Sequence, residues 1–289
     1  MQTNDKPFYK TVRFWQIIVI GAVLLALVIG ILVGLKDAVV VEQPPETTLA
    51  PTEATTEPTV PATYPPPPEN PYGPADFYYE GTYLTCAAGE AVLGIDVSTW
   101  QGEIDWQQVK GAGVEYAIIR VGYRSTDLGN LAMDDYAKIN YQGATDAGVK
   151  VGAYFFSQAI TVEEAEEEAR YVLAAVKDWQ VDMPIVYDWE YVSDTARTAD
   201  MDARLLTDCT KAFCSIIEDA GYDSMIYFNR DQSHKQMYLE ELTDFGFWLA
   251  MYDRAMDYPY KIDMWQYSCT GFVPGIDGHV DMNLYFPYE

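Results

Sequence analysis

An α/β barrel with parallel strands is the fold that the sequence predicts for residues 77–289, and three observations predict it. Eight short apolar runs of strand length recur along that stretch. Segments with helical spacing lie between the early runs and thin out toward the C-terminus. The runs are apolar almost without interruption, as strands buried on both faces must be. An open doubly wound sheet is the alternative.

The elements before the barrel come first. Residues 1–16 carry Lys6, Lys10 and Arg13 and read as a cytoplasmic tail. Ile17 to Leu35, "IIVIGAVLLALVIGILVGL", is an unbroken apolar run. At about 1.5 Å per residue it reaches roughly 28 Å, close to the hydrocarbon thickness of a bilayer. A cleavable leader has a shorter apolar region and a small-residue cleavage site, so the run is expected to stay as a single-pass anchor. Basic residues before it outnumber the single Lys36 just after it, which keeps the N-terminus inside and places the rest of the chain outside. Residues 36–76 are rich in Pro, Thr and Glu and lack apolar periodicity, so they are expected to form a disordered stalk. Extended, such a stalk spans on the order of 100 Å.

Within residues 77–289 the strand runs are "AVLGIDV", "EYAIIRV", "VKVGAYFF", "MPIVYDWE", "SMIYFN", "FWLAMY", "DMWQYS" and "HVDMNLY". Thr161 and Glu164 form a capping-box pattern ahead of a stripe of Ala165, Ala169, Val172, Leu173 and Val176. The acids of Glu163–Glu168 are expected on the solvent side of that helix. A second helix is expected from about Met201 to Ala220, stopped by Gly221. Of four cysteines, Cys209 and Cys214 share this helix about 140° apart and cannot bridge there. Cys209 falls on its apolar stripe, and a Cys86–Cys269 bridge is open to the chain but has no support in the sequence.

The net charge of −26 argues against nucleic acid and anionic membrane surfaces as partners. "GIDVSTWQG", at the end of the first run, lacks the glycine-rich fingerprints of nucleotide sites. No cofactor is expected. The two histidines, His234 and His279, have no ligand spacing, which disfavours zinc and leaves magnesium open.

Acids gather where the runs end. Asp96 ends the first, Asp188 and Glu190 end the fourth, Asp281 lies in the last and Asp277 just before it. Active sites of parallel barrels sit at the C-terminal strand ends. Asp188 and Glu190 are two residues apart, so on a strand they share one side and leave Tyr187 and Trp189 to the other. Either they enter a site at the barrel mouth or the strand stops one residue earlier. Carboxyls crowded together raise one another's proton affinity, which supplies the proton donor and the anion that glycoside cleavage uses. Trp100, Tyr154, Phe156, Tyr227, Tyr252, Trp265 and Tyr267 sit near strand ends, where flat rings suit pyranose faces as well as cores.

The ordered motifs "GIDVSTWQGEIDW", "YAIIRVGYR", "GAYFFSQA", "PIVYDWE", "AGYDSMIYFN", "FWLAMY" and "MWQYSCTGFVPGIDGHVDMN" resemble those of glycoside hydrolase family 25, the Chalaropsis-type lysozymes. The resemblance covers residues 92 to 286. It implies a TIM-like (β/α)5(β)3 barrel and hydrolysis of the β-1,4 bond between N-acetylmuramic acid and N-acetylglucosamine in peptidoglycan. It matches Glu190 to the family's proton donor, Asp188 and Asp96 to two further carboxylates, and either Asp281 or Asp277 to the last one. Trp100, Arg120, Tyr154, Phe156, Tyr227, Tyr252 and Trp265 are the candidate substrate-binding residues, with peptidoglycan strands as the partner of a monomeric protein. The rival readings are a catalytically silent wall-binding module, a metal-dependent wall hydrolase and a membrane-tethered scaffold.

Overall fold

The computed structural model describes residues 64–252 and 254–287. The expected cytoplasmic tail, the membrane run and the stalk up to residue 63 lie outside the described residues. Among the described residues no helix is long and apolar enough to cross a membrane.

A hairpin comes first, β1 (Phe77–Glu80) against β2 (Tyr83–Cys86). Then follow β3 (Val92–Val97), α1 (Trp106–Gly111), β4 (Tyr116–Arg124), the short edge strand β5 (Leu131–Met133) and α2 (Ala137–Asp146). Next come β6 (Lys150–Ser157), α3 (Val162–Val176), β7 (Ile185–Trp189), α4 (Ala203–Asp219), β8 (Ser224–Asn229) and α5 (Arg230–Lys235). The chain closes with β9 (Gly246–Ala250), β10 (Met264–Gly271) and β11 (Val280–Tyr285).

Every one of the eight apolar runs becomes a barrel strand. Six parallel pairings link β3 through β4, β6, β7, β8 and β9 to β10. The ring is closed by β11, antiparallel to both β10 and β3, so the sheet is not open. This departs from an all-parallel barrel for a simple reason: residues 272–279 are too few for a crossover and allow only a hairpin return. The first five barrel strands are each followed by a helix and the last three are not.

Strand periodicity sorts the side chains. Inside the barrel, Tyr116, Ile118, Val186, Met225, Trp248 and Met264 pack as one cluster. Gly94 makes room for this floor, since a Cβ there would lie 2.1 Å from the Tyr116 ring. The alternate residues, among them Ile95, Ile119, Phe155, Tyr187, Trp189 and Phe228, pack outward in the larger core under the helices. Tyr187, for example, meets Phe213 of α4 with ring centroids 4.9 Å apart. Asp202 caps α4, and Gly221 follows it with φ 88°.

Two further expectations are corrected. Glu168 is not on the solvent side of α3; it is fully buried, bonded to Arg124 Nε at 2.6 Å and to Ser157 Oγ at 2.6 Å. The stripe carrying Ala165 and Val172 includes position 168 by the i+3, i+4 rule, and Arg124 makes the buried charge tolerable. The globular unit also begins before residue 77. Pro68 O accepts from Lys261 N, Asn70 N donates to Pro259 O, and Tyr72 packs on Phe286 at 4.9 Å. A proline-rich stretch without periodicity still lends its free carbonyls to a neighbouring loop. Cys86 and Cys269 are both free, as are Cys209 and Cys214.

Candidate active site

The inward-facing residues of the upper strands open into a cavity of about 650 Å³ at the C-terminal mouth of the barrel. Parity determines what enters it. On β3, Ile95 and Val97 face outward and Asp96 inward; on β7, Tyr187 and Trp189 face outward and Asp188 inward, with Glu190 two residues on. On β11 the inward set is Asp281, Asn283 and Tyr285. Asp281 is the direct register partner of Asp96 across the β11–β3 ladder. Asp96, Asp188, Glu190 and Asp281 thus line one cavity, from three strands far apart in sequence.

Trp100, Arg120, Tyr154, Phe156, Tyr227 and Tyr252 line the same cavity. Trp100 stands on the lip with 82% of its surface exposed. Two expected residues are elsewhere. Trp265 is one residue out of phase with inward-facing Gln266, so it points away from the barrel axis, against Phe77 of the hairpin, and donates Nε1 to Met251 O at 2.8 Å. Asp277 lies in the β10–β11 connection and lines a separate surface depression with Asp105 and Gln108. Of the two candidates for the last carboxylate, Asp281 is the one in the cavity.

Sequence reading missed the amides that hold these acids. Gln266 Nε2 and Asn283 Nδ2 each donate to Asp96 Oδ2 at 2.8 Å. Gln266 Oε1 accepts from Tyr227 at 2.8 Å and also from the Tyr252 hydroxyl. Asn283 Oδ1 accepts from Trp248 Nε1 at 2.9 Å. The signal was available, because Asn283 is two residues from Asp281 and must share its face. Arg120, the one cation among the cavity-lining residues, is held by Asp134 at 2.8 Å, whose oxygens also accept from Thr99 N and Tyr136 N.

The electrostatics follow from crowding. Burial pushes the Asp96 carboxyl well above its usual range, the charges of Asp281 and Glu190 add to this, and the two amides partly offset it. Asp188 is raised by burial, then by Glu190 and Asp96, with Arg120 opposing. Its Oδ1 is buried without a hydrogen-bond partner among the described residues. Burial also raises Glu190; the neighbouring Asp188 carboxyl partly offsets this and the charge of Asp281 adds to it. Asp281 is pushed up by burial to about 6. Four acids so placed cannot all ionise together near neutral pH. Among the described residues no group of three or more His, Cys, Asp or Glu is arranged to hold a metal ion.

The comparisons with known proteins point to one family. A family model described as "Glycosyl hydrolases family 25" matches residues 95–276. Lysozyme M1 of Streptomyces globisporus is 29% identical over 244 residues, covering 76% of this chain and 81% of that protein. A bacterial lysozyme structure from Streptomyces coelicolor superposes with a TM-score of 0.54 at 28% identity, over 68% of this chain and 92% of that one. The modular autolysin LytC of Streptococcus pneumoniae, solved in complex with a synthetic peptidoglycan ligand, gives a TM-score of 0.60 at 26% identity over 68% of this chain. The match spans 47% of that longer protein.

Proposed function

The chain belongs to glycosyl hydrolase family 25, and from that membership we propose that its cavity hydrolyses the β-1,4 bond between N-acetylmuramic acid and N-acetylglucosamine in peptidoglycan. One observation carries the reading: four carboxyls converge at the barrel mouth, so crowded that they cannot all be ionised together near neutral pH. Glycoside cleavage needs both an acid to protonate the leaving oxygen and an anion to face the oxocarbenium-like transition state.

Glu190 is the proton donor in this mechanism. It is the outer member of the pair, partly exposed, whereas Asp188 is 5% exposed. The proton passes from Glu190 to the glycosidic oxygen as the bond breaks. Asp188 faces the positive charge developing at the sugar; burial and the Glu190 and Asp96 charges raise its carboxyl, and Arg120 opposes them. Asp96 and Asp281 hold the sugar and keep a proton within the acid set, since each ionised neighbour makes its loss harder. Trp100 on the lip and Tyr154, Phe156 and Tyr227 within the cavity offer ring faces to the glycan. The apolar run Ile17–Leu35 and its basic flank support a membrane-held enzyme whose cavity faces the wall from outside.

Incubating the protein with purified peptidoglycan and identifying the new reducing ends tests the assignment. Muramic acid ends are expected, and Glu190→Gln is expected to abolish their release while preserving the melting temperature. Glucosamine ends, or a fully active Glu190→Gln variant, overturn the reading.

A further inference from the structure

The ladder bonds of β7 run out where its chemistry begins. Its last paired residue toward β6 is Trp189 and toward β8 is Asp188. Beyond that point two buried side-chain amides act in place of strand neighbours. Gln232 Nε2 donates to Trp189 O at 2.7 Å, and Gln158 Nε2 donates to Glu190 O at 2.9 Å. The carbonyl of Trp189 belongs to the peptide plane before the Glu190 Cα, and the carbonyl of Glu190 belongs to the plane after it. Peptide groups are planar, so restraining both planes restrains φ and ψ of Glu190 and therefore the direction in which its Cα–Cβ bond leaves the backbone.

Each amide is itself anchored. Gln158 is fully buried; its Oε1 accepts from Thr198 Oγ1 at 3.0 Å and its backbone O accepts from Arg197 Nη1 at 2.9 Å. Arg197 forms a two-pronged pair with Glu164 near the start of α3, at 2.6 and 2.9 Å. Gln232 sits in the first turn of α5, where its N–H is capped by Asn229 Oδ1 at 2.9 Å. The loop that leaves Glu190 is thus bolted back through Arg197 and Thr198 to the residue that holds Glu190 in place.

We propose that Gln158 and Gln232 are positioning residues that clamp the two peptide planes flanking Glu190 and so aim its carboxyl into the cavity. This rests on Glu190 being the proton donor of the proposed muramidase. Without the clamp the Glu190 side chain gains freedom to turn toward solvent, where its proton is held less tightly.

The test uses Gln158→Met, Gln232→Met and the milder Thr198→Val, which exchanges the hydroxyl for a methyl of similar size. Activity on solubilised peptidoglycan is measured across pH, well below each variant's melting temperature. The expected result is a fall in kcat of tenfold or more for each glutamine variant and threefold or more for Thr198→Val, with KM changed less than threefold. The alkaline limb of the profile is expected to move to lower pH in all three. The other charged and titratable groups facing Glu190 stay in place: Asp188 on β7, Asp96, Arg120, Tyr154, Tyr227 and Asp281 on their strands, and Tyr252 after β9. A fall in kcat with an unmoved alkaline limb marks a merely structural role and overturns the clamp, as does activity within threefold of the parent in all variants. Failure of the underlying reading has a different signature: the parent protein releases no muramic acid ends, or Glu190→Gln is as active as the parent.

Discussion

Replacing Asp281 by Asn should make the protein more stable at pH 8 and leave its stability unchanged at pH 3.5. Burial raises the Asp281 carboxyl from 3.8 to about 6. It therefore binds a proton more tightly folded than unfolded. Its favourable contribution is complete below pH 3.8 and is lost as pH rises through 6. At about 1.4 kcal/mol per pH unit the interval corresponds to roughly 3 kcal/mol. Because Asp281 is partly exposed, about 2 kcal/mol is the better figure after solvent screening. Asn keeps the shape without the charge, and it also relieves Asp96, which the Asp281 charge destabilises. For a domain of this size about 2 kcal/mol appears as a gain of roughly 4–8 °C in melting temperature. Calorimetric scans at pH 8 and pH 3.5 read the effect directly. An equal shift at both pH values, or a variant less stable at pH 8, refutes the claim that the buried charge is what the wild-type fold carries at a loss.

Two further substitutions probe the supports of the site. Gln266→Leu removes a donor from Asp96 and the acceptor shared by Tyr227 and Tyr252. A hydrogen bond to a charged group is worth about 1.5–3 kcal/mol, so kcat should fall by roughly ten- to 150-fold; a change under threefold removes Gln266 from the support of Asp96. Arg124→Met leaves Glu168, already raised to about 7 by burial, without its guanidinium. Breaking a buried pair costs about 3 kcal/mol or more. The loss should be larger at pH 8 than at pH 5, where Glu168 takes up a proton, and denaturant titrations at the two pH values compare them.

The strands were legible because burial on both faces leaves a run of apolar residues no periodicity can disguise, as in "PIVYDWE" and "EYAIIRV". The acids were legible because they interrupt such runs at their ends. What parity alone decides was read unevenly. It correctly separated Asp188 and Glu190 from Tyr187 and Trp189, yet Trp265 was grouped with the cavity although Gln266 beside it holds the inward position. Glu168 was misplaced because its charge outweighed its position on an apolar stripe, and its partner Arg124 sits 44 residues away in sequence. The hairpin β1–β2 and the packed stretch from Pro68 carry no repeating pattern, since their partners are loops and edges rather than a sheet face.

The strand that runs counter to its neighbours also follows the other seven barrel strands in the chain. Because β11 both closes the ring and brings in Asp281, the staves meet and the acid set is completed in one event. A growing chain therefore holds no finished cavity until its final strand is in place. The order of the strands thus ties the acid set to the closing of the ring: until β11 has joined, the other seven strands hold an incomplete site.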